Sequence, residues 1–250
     1  MRRLVTYELR SMLGNFFAIF FGLVFPIVML YILYPVIIKN VPEVMKAQVS
    51  VQLFVQMMLV IPLALLFIGF SALFSQEIEK GVINRLVLFG ISEGKQMQAK
   101  MIANAIGTTL AIILYTVATA SYINLSTPTF FAFFALVVTF AVLGVSLFVL
   151  AYGICLLVRR FSIAYGITMT LYFAIMMLSG LMGLQIEDLP KVVQGALIYL
   201  PTAVLPGALT KAWQLNSYNF MPLVQAFIVF GAICGLVCFA GLRKNARRLN

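Results

Sequence analysis

The residues best able to do chemistry in this chain crowd into one run, SQEIEKGVINRLVLFGISEGKQMQAK (75–100). There three glutamates and four basic residues interrupt an otherwise apolar sequence. Gly90 and Gly94-Lys95 suggest a loop that cradles phosphate. Such a loop needs four residues between its first glycine and the Gly-Lys pair, and then a Ser or Thr hydroxyl for magnesium. Here three residues separate Gly90 from Gly94, and Gln96 follows Lys95. No strand precedes the run, and the chain leaves no room for a soluble α/β domain. The segment is not a nucleotide site of that kind.

Other chemistries fare no better. The chain has no histidine, and no Asp, Glu, Lys or Arg falls at the centre of any predicted span. A metalloprotease or an acid/base hydrolase therefore lacks ligands and bases. Cys155, Cys234 and Cys238 all fall within apolar runs, too few and too deep for a disulfide framework. Cys234 and Cys238 share a helix face, but without a further ligand they read as small packing residues.

The 75–100 run does read as a helix of useful shape. Ile78, Val82, Leu86 and Phe89 recur at helical spacing from Gln76 onward and predict one apolar stripe. Glu77, Lys80, Asn84 and Arg85 occupy the other sides. Gly81 interrupts this helix at a cost of about 1 kcal/mol relative to Ala. Gly90 is placed to close it with a left-handed cap, and Ser92 with Glu93 to open the next helix. Such an element either lies beneath a bilayer or docks a soluble partner. Rigid connection to the spans on both sides favours docking, because a push on it would move both.

The elements that must position this segment are membrane spans. Of the 250 residues, 63% are hydrophobic and 10% charged, against about 25% charged in soluble domains. Charge-free runs at 11–38, 47–76, 101–158, 161–186 and 212–242 each exceed the roughly 20 residues of a spanning helix. The run 101–158 holds two spans, with INLSTPTF (123–130) as the turn between them. The expected architecture is one all-α integral membrane domain over 1–250 with six spans. These run at roughly 16–38, 50–74, 100–122, 129–158, 162–184 and 220–242, with Pro26 and Pro35 as kink points in the first. Residues 1–15 form an amphipathic interfacial helix, with Leu9, Met12, Leu13 and Phe16 on its apolar face. The stretch 185–218 contains Pro190, Pro201 and Pro206. It reads as short external re-entrant helices in preference to a seventh span.

Thirteen Lys and Arg residues fall on one side of this topology: Arg2, Arg3, Arg10, Lys80, Arg85, Lys95, Lys100, Arg159, Arg160, Arg243, Lys244, Arg247 and Arg248. Lys39, Lys46, Lys191 and Lys211 fall on the other. The excess predicts that both termini and the 75–99 segment are cytoplasmic. It also accounts for the net charge of +10 through attraction to anionic lipid heads, without a nucleic-acid partner. Within the spans, Gln52, Gln56, Asn104, Thr108, Thr109, Tyr115, Thr116 and Thr119 are polar but neutral. Asn104, Thr108 and Tyr115 lie near one face of the third span, where they either line a path or join helices. Gly231 and Gly235 make a GxxxG that could mark a close contact, within the subunit or across a dimer.

Several stretches resemble the ABC-2 type permeases, the transmembrane subunits of ATP-binding cassette exporters. Glu77-Ile-Glu79-Lys-Gly81, then Arg85-Leu86, Gly90-Ile-Ser92 and Lys100, are similar to that family's cytoplasmic loop, with Ala99 in place of the usual Gly and Phe89-Gly90 in place of Thr-Pro. Ser179-Gly180, Leu189-Pro190, Leu200-Pro201 and Ala208-Leu209 resemble its external segment. Tyr7-Glu8-Leu9-Arg10 resembles its interfacial N-terminal helix. The resemblance implies a plasma-membrane export subunit that works with a second permease subunit, identical or different, and with cytoplasmic cassette ATPases. ATP and magnesium would sit on the ATPase, leaving this chain without a cofactor or catalytic residue. Glu77, Glu79, Gly81, Arg85, Leu86, Gly90 and Ser92 would couple to the ATPase. The spans suit an amphiphilic cargo such as a hydrophobic peptide, a drug or a lipid-linked molecule. The alternative is an ATP-independent channel or lipid scramblase.

Overall fold

The computed structural model describes residues 1–181 and 190–249. Among them all regular structure is helical. Six helices are long and apolar enough to cross a membrane. In chain order the elements are α1 (Arg2–Gly14), α2 (Phe16–Ile38), α3 (Glu43–Glu79), α4 (Val82–Leu88) and α5 (Glu93–Thr119). They continue with α6 (Phe130–Val158), α7 (Phe161–Leu178), α8 (Lys191–Leu197), α9 (Pro201–Ala212) and α10 (Met221–Leu249).

The longest helix, α3, is the axis of the bundle. Its 37 residues extend about 55 Å at 1.5 Å per residue, well beyond a hydrocarbon layer of about 30 Å. It therefore crosses and projects. Its most apolar stretch is 83% buried, whereas the other five spans are between 22% and 39% buried. Phe54, Met58, Leu59, Ile61, Leu63 and Phe67 supply its fully buried side chains. The remaining spans surround it and leave Val, Ile, Leu and Phe on their outer faces.

Both α2 and α3 loosen into π turns, over Phe20–Val24 and Leu63–Gly69. Each lies beside a proline, Pro26 or Pro62, whose missing N–H removes one α-type bond. The Phe25 and Phe70 N–H groups reach back five residues, to the Phe20 and Leu65 carbonyls. Of the two prolines marked as kink points in the first span, Pro26 follows a π turn and Pro35 lies inside the helix.

The turns between spans follow the reading of the sequence. Arg159 takes a left-handed conformation (φ 57°) between α6 and α7. Residues 120–129 link α5 to α6. The stretch after residue 189 forms two short helices, with Pro201 in the first turn of α9. Residues 185–189 of the expected 185–218 segment, including Leu189, lie outside the described residues. The α9 helix is largely buried against the bundle, and Trp213 just beyond it donates from Nε1 to the Ser126 carbonyl at 2.8 Å.

The α1 helix packs one side on the bundle and leaves the other open: Met12 and Glu8 are buried toward α5, Leu9 is half-buried, and Leu13 and Phe16 are exposed. Met12 fills the notch at Gly107, where an added Cβ would collide with the Met12 Cε. The Gly231/Gly235 pair makes no close contact among the described residues. The tight approach between α6 and α10 is at Gly153, where a Cβ would meet the Cys238 backbone at 2.7 Å.

Candidate functional site

Three helix ends gather at one end of the bundle, beneath the hairpin that carries α4. Lys100, one turn and more inside α5, is buried. Its Nζ lies 2.8 and 2.9 Å from the two Glu8 carboxylate oxygens and 2.7 Å from Glu77 Oε2. One ammonium thus binds α1, α3 and α5 together. Two carboxylates face one cation, so the cluster carries an excess negative charge. Burial pushes the Glu8 carboxyl above its usual range, with the Lys100 charge and hydrogen bond opposing and the Glu77 charge adding to the rise.

A fourth helix joins through Glu79. Its Oε2 accepts a hydrogen bond from the Phe161 N–H at 2.7 Å, at the first residue of α7. Helix N-termini have N–H groups without intrahelical partners and favour negative charge. On the same end, Lys244 Nζ donates to the Leu157 carbonyl at 3.0 Å, and the Arg159 guanidinium donates to Asn245. The N-terminal helix, the α4 hairpin, the 159–160 turn and the end of α10 therefore share one end of the molecule.

The hairpin itself departs from the expected single helix. Gly81 is left-handed (φ 65°), and its N–H bonds the Ile78 carbonyl at 3.1 Å. This ends α3, and α4 starts anew at Val82. The predicted stripe is therefore split. Ile78 is buried at the end of α3, Val82 and Leu86 are half-buried, and Phe89 points away. Leu88 and Phe89 are 85% and 82% exposed, which makes the tip of the hairpin apolar. Gly90 (φ 82°) closes α4 with two bonds, Gly90 N–H to Val87 O at 2.9 Å and Ile91 N–H to Leu86 O at 3.0 Å. Ser92 stands at the N-cap of α5, but its hydroxyl makes no cap bond. Arg85 is exposed and donates to the Lys80 carbonyl at 3.1 Å. Of the seven residues singled out here in the sequence, Glu77 is turned into the protein and Glu79 is tied to α7. Gly81 and Gly90 shape the turns.

The three residues considered for a path are held inside the bundle. Asn104 Nδ2 donates to the Lys100 carbonyl at 2.8 Å. Tyr115 is fully buried, stacks on Phe54 at 5.3 Å and donates to the Phe54 carbonyl at 3.0 Å. Thr108 is buried, with no partner for its hydroxyl among the described residues. None of the three reaches the large cavity.

That cavity, about 1520 Å³, lies between α2, α3 and α7, with the end of α1 and part of α9 at its margins. It exceeds the range of roughly 300–1,000 Å³ usual for small-molecule pockets. Its wall is aromatic and methionine-rich, including Phe21, Phe25, Met57, Met169, Tyr172 and Phe173, and among the described residues no charged one lines it. Phe17 and Phe173 at its rims are 69% and 49% exposed, so it opens along one side of the bundle. Gln52 and Gln56, one turn apart on α3, and Gln76, near the hairpin end, also line it. Their positions as neutral polar residues in an apolar run were the available signal, and only the packing separates them from Asn104 and Tyr115. No family model matches this chain, and no curated protein is significantly similar to it.

Proposed function

We propose that this chain is the membrane-spanning permease subunit of an ATP-binding cassette exporter. It would move an amphiphilic cargo outward on ATP hydrolysed by a separate subunit. The observation that carries the reading is the hairpin. An exposed apolar tip, Leu88 and Phe89, projects from a base fixed through Lys100, Glu77 and Glu79 to α1, α3, α5 and α7. Force applied at the tip reaches four helices, two of which, α3 and α7, wall the cavity. Proton- and ion-driven carriers place ionisable groups along their path. Among the described residues the wall of this cavity has none, which favours an external energy source.

In this reading the cassette ATPases are cytoplasmic and bind ATP and magnesium. The hairpin and both termini face them, as the Lys and Arg excess on that side favours. The domain lies in the plasma membrane. A second permease subunit, a copy or a different chain, covers the open side of the cavity. The hairpin's docking role passes from the charges of Glu77 and Glu79 to the apolar tip, with Arg85 and Leu86 at its flank. The competing reading, an ATP-independent channel or lipid scramblase, draws on the cavity's open side; it requires transport in vesicles that contain this chain alone.

The test is co-purification of a cassette ATPase with the full chain, and cargo-stimulated ATP hydrolysis by the complex. Leu88→Asp with Phe89→Asp should cut ATPase binding at least tenfold, since buried aromatic anchors dominate such interfaces. The fold should survive, because both side chains are already in solvent. Unchanged binding and coupling in that variant would remove the hairpin from the mechanism. Membrane-impermeant labelling of Ser92→Cys in intact cells should fail; labelling from outside would overturn the orientation.

A further inference from the structure

The irregular stretches of α2 and α3 meet. The two helices run antiparallel, with Ala18 and Gly22 of α2 set against Gly69 and Leu65 of α3. A Cβ added at Gly22 would lie 2.6 Å from the Leu65 Cγ, and one added at Gly69 would lie 2.9 Å from the Ala18 Cβ. This register seats the π turn Phe20–Val24 on the π turn Leu63–Gly69. It also brings Pro26 and Pro62 to nearly the same level. Among the described residues these are the two π turns. Such turns are rare, short and common at functional sites. Nothing in either helix alone requires them to coincide, yet both helices carry their weakest backbone bonding at one depth.

On either side of that depth the pair is fixed. Toward the hairpin, Ser71 of α3 pairs with Thr168 of α7 at 2.9 Å, Phe70 packs on Phe148 of α6 at 4.3 Å, and Lys100 of α5 holds Glu77 and Glu8. Toward the opposite end, Tyr115 of α5 donates to the Phe54 carbonyl at 3.0 Å, and Tyr31 and Tyr34 of α2 donate to the Ala118 and Ile123 carbonyls at 2.8 and 3.1 Å. The α5 helix takes part in both sets and is unbroken over Glu93–Thr119. Between Ala18 and Tyr31 on α2, and between Phe54 and Ile68 on α3, no side-chain hydrogen bond forms among the described residues. The pair is therefore held at both ends against one strut and soft in its middle. The soft level borders open space, because Phe21 and Phe25 of α2 and Ala64, Ile68 and Gly69 of α3 line the cavity together with Met169 and Phe173 of α7.

We propose that the facing π turns of α2 and α3 form one hinge, at which the two helices bend together between fixed ends and change the width of the cavity. A few residues absorb the backbone change, as in other hinges. The notches at Gly22 and Gly69 make the motion joint, since Leu65 and Ala18 fill them and neither helix moves at this level without the other. That an ATPase drives the hinge through the hairpin rests on the export reading above; the hinge itself does not.

The experiment uses the full chain in lipid nanodiscs and reads amide hydrogen exchange helix by helix. Residues 20–25 and 63–70 should exchange faster than the unbroken middle of α5. Pro62→Ala restores an N–H to α3 and should slow exchange by about fivefold at 63–70 and, although α2 is unaltered, at 20–25 as well. Pro26→Ala should protect the same two stretches. Protection is a readout that a damaged fold cannot imitate. The second measurement places spin labels on the exposed cavity rims, through Phe21→Cys and Phe173→Cys in a chain whose Cys155, Cys234 and Cys238 are replaced by alanine. The distance between them should be broadly distributed and should narrow with either proline replacement. Protection confined to the altered helix would overturn the proposal, as would a single narrow distance that neither replacement changes. A chain that couples to a cassette ATPase but shows that narrow distance would sink the hinge alone. A proline-sensitive hinge in a chain that binds no cassette would sink the export reading alone.

Discussion

Two parts of α3 handle polarity in opposite ways. At its hairpin end, Glu77 and Glu79 are charged and fully engaged, with Lys100 and with the start of α7. Along its cavity face, Gln52 and Gln56 are neutral, and among the described residues their side chains have no hydrogen-bond partner. The sequence suggests the reverse allocation, with charges reserved for a partner and the neutral residues of the third span for a path. The difference follows from cost. A buried charge is tolerable only when paired, so the protein consumes its own. A neutral amide is cheap enough to be left open, and so remains free to recognise something else.

The largest expected effect breaks the engaged end. Lys100→Met leaves the buried Glu8 carboxylate and the partly buried Glu77 carboxylate facing each other without a cation. Removing one member of a buried ion pair typically costs about 3–5 kcal/mol. Thermal unfolding in detergent should show a lowered midpoint and α1 should become protease-sensitive. Adding Glu8→Gln and Glu77→Gln in the Lys100→Met background should recover most of the loss, because neutral amides need no cation. Failure of that rescue would mean that packing, not charge, holds the junction.

A smaller effect sharpens the same end through pH. Burial raises the Glu8 carboxyl above its ordinary value of 4.5. The folded protein therefore takes up this proton at a higher pH than the unfolded chain does, and stability falls as pH rises through the raised value. Protonation at Glu8 leaves Glu77 and Lys100 as a balanced pair. The groups facing Glu8 are Lys100 from α5 and Glu77 from α3. Glu8→Gln should flatten this dependence above pH 4.5 and cost far less than Lys100→Met. A steeper dependence in Glu8→Gln would show that another group carries it.

The limits of the sequence are visible at particular residues. Six spans, the 159–160 turn and the short helices at 191–212 were legible because charge-free length and proline placement determine them locally. The break at Gly81 was not. A glycine within a helical pattern reads as a modest penalty, and only its positive φ makes it a terminus. The Glu8–Lys100 pair joins residues 92 positions apart, beyond the reach of periodicity. The GxxxG spacing at Gly231 and Gly235 is the same whether or not a helix faces it, and the contact that forms uses Gly153 instead. Glutamines at 52 and 56 were conspicuous in the sequence, but nothing local distinguishes a wall residue from a helix-joining one.

The smallest effect on stability is the one that most directly separates the two parts of α3. Gln52→Leu with Gln56→Leu removes two amides that have no partner among the described residues. No hydrogen bond is broken, and leucine is comparable in size and at home in an apolar span. The change in stability should stay within about 0.5 kcal/mol per site, as for substitutions away from packed or bonded features, and may be checked by the same unfolding assay used for Lys100→Met. A loss of 2 kcal/mol or more would mean that these amides already serve the fold. In that case the contrast between an engaged end and an open wall disappears. A neutral result, set beside a large loss at Lys100, places the structural polarity of α3 at its hairpin end and leaves the wall amides outside the fold's own bonding.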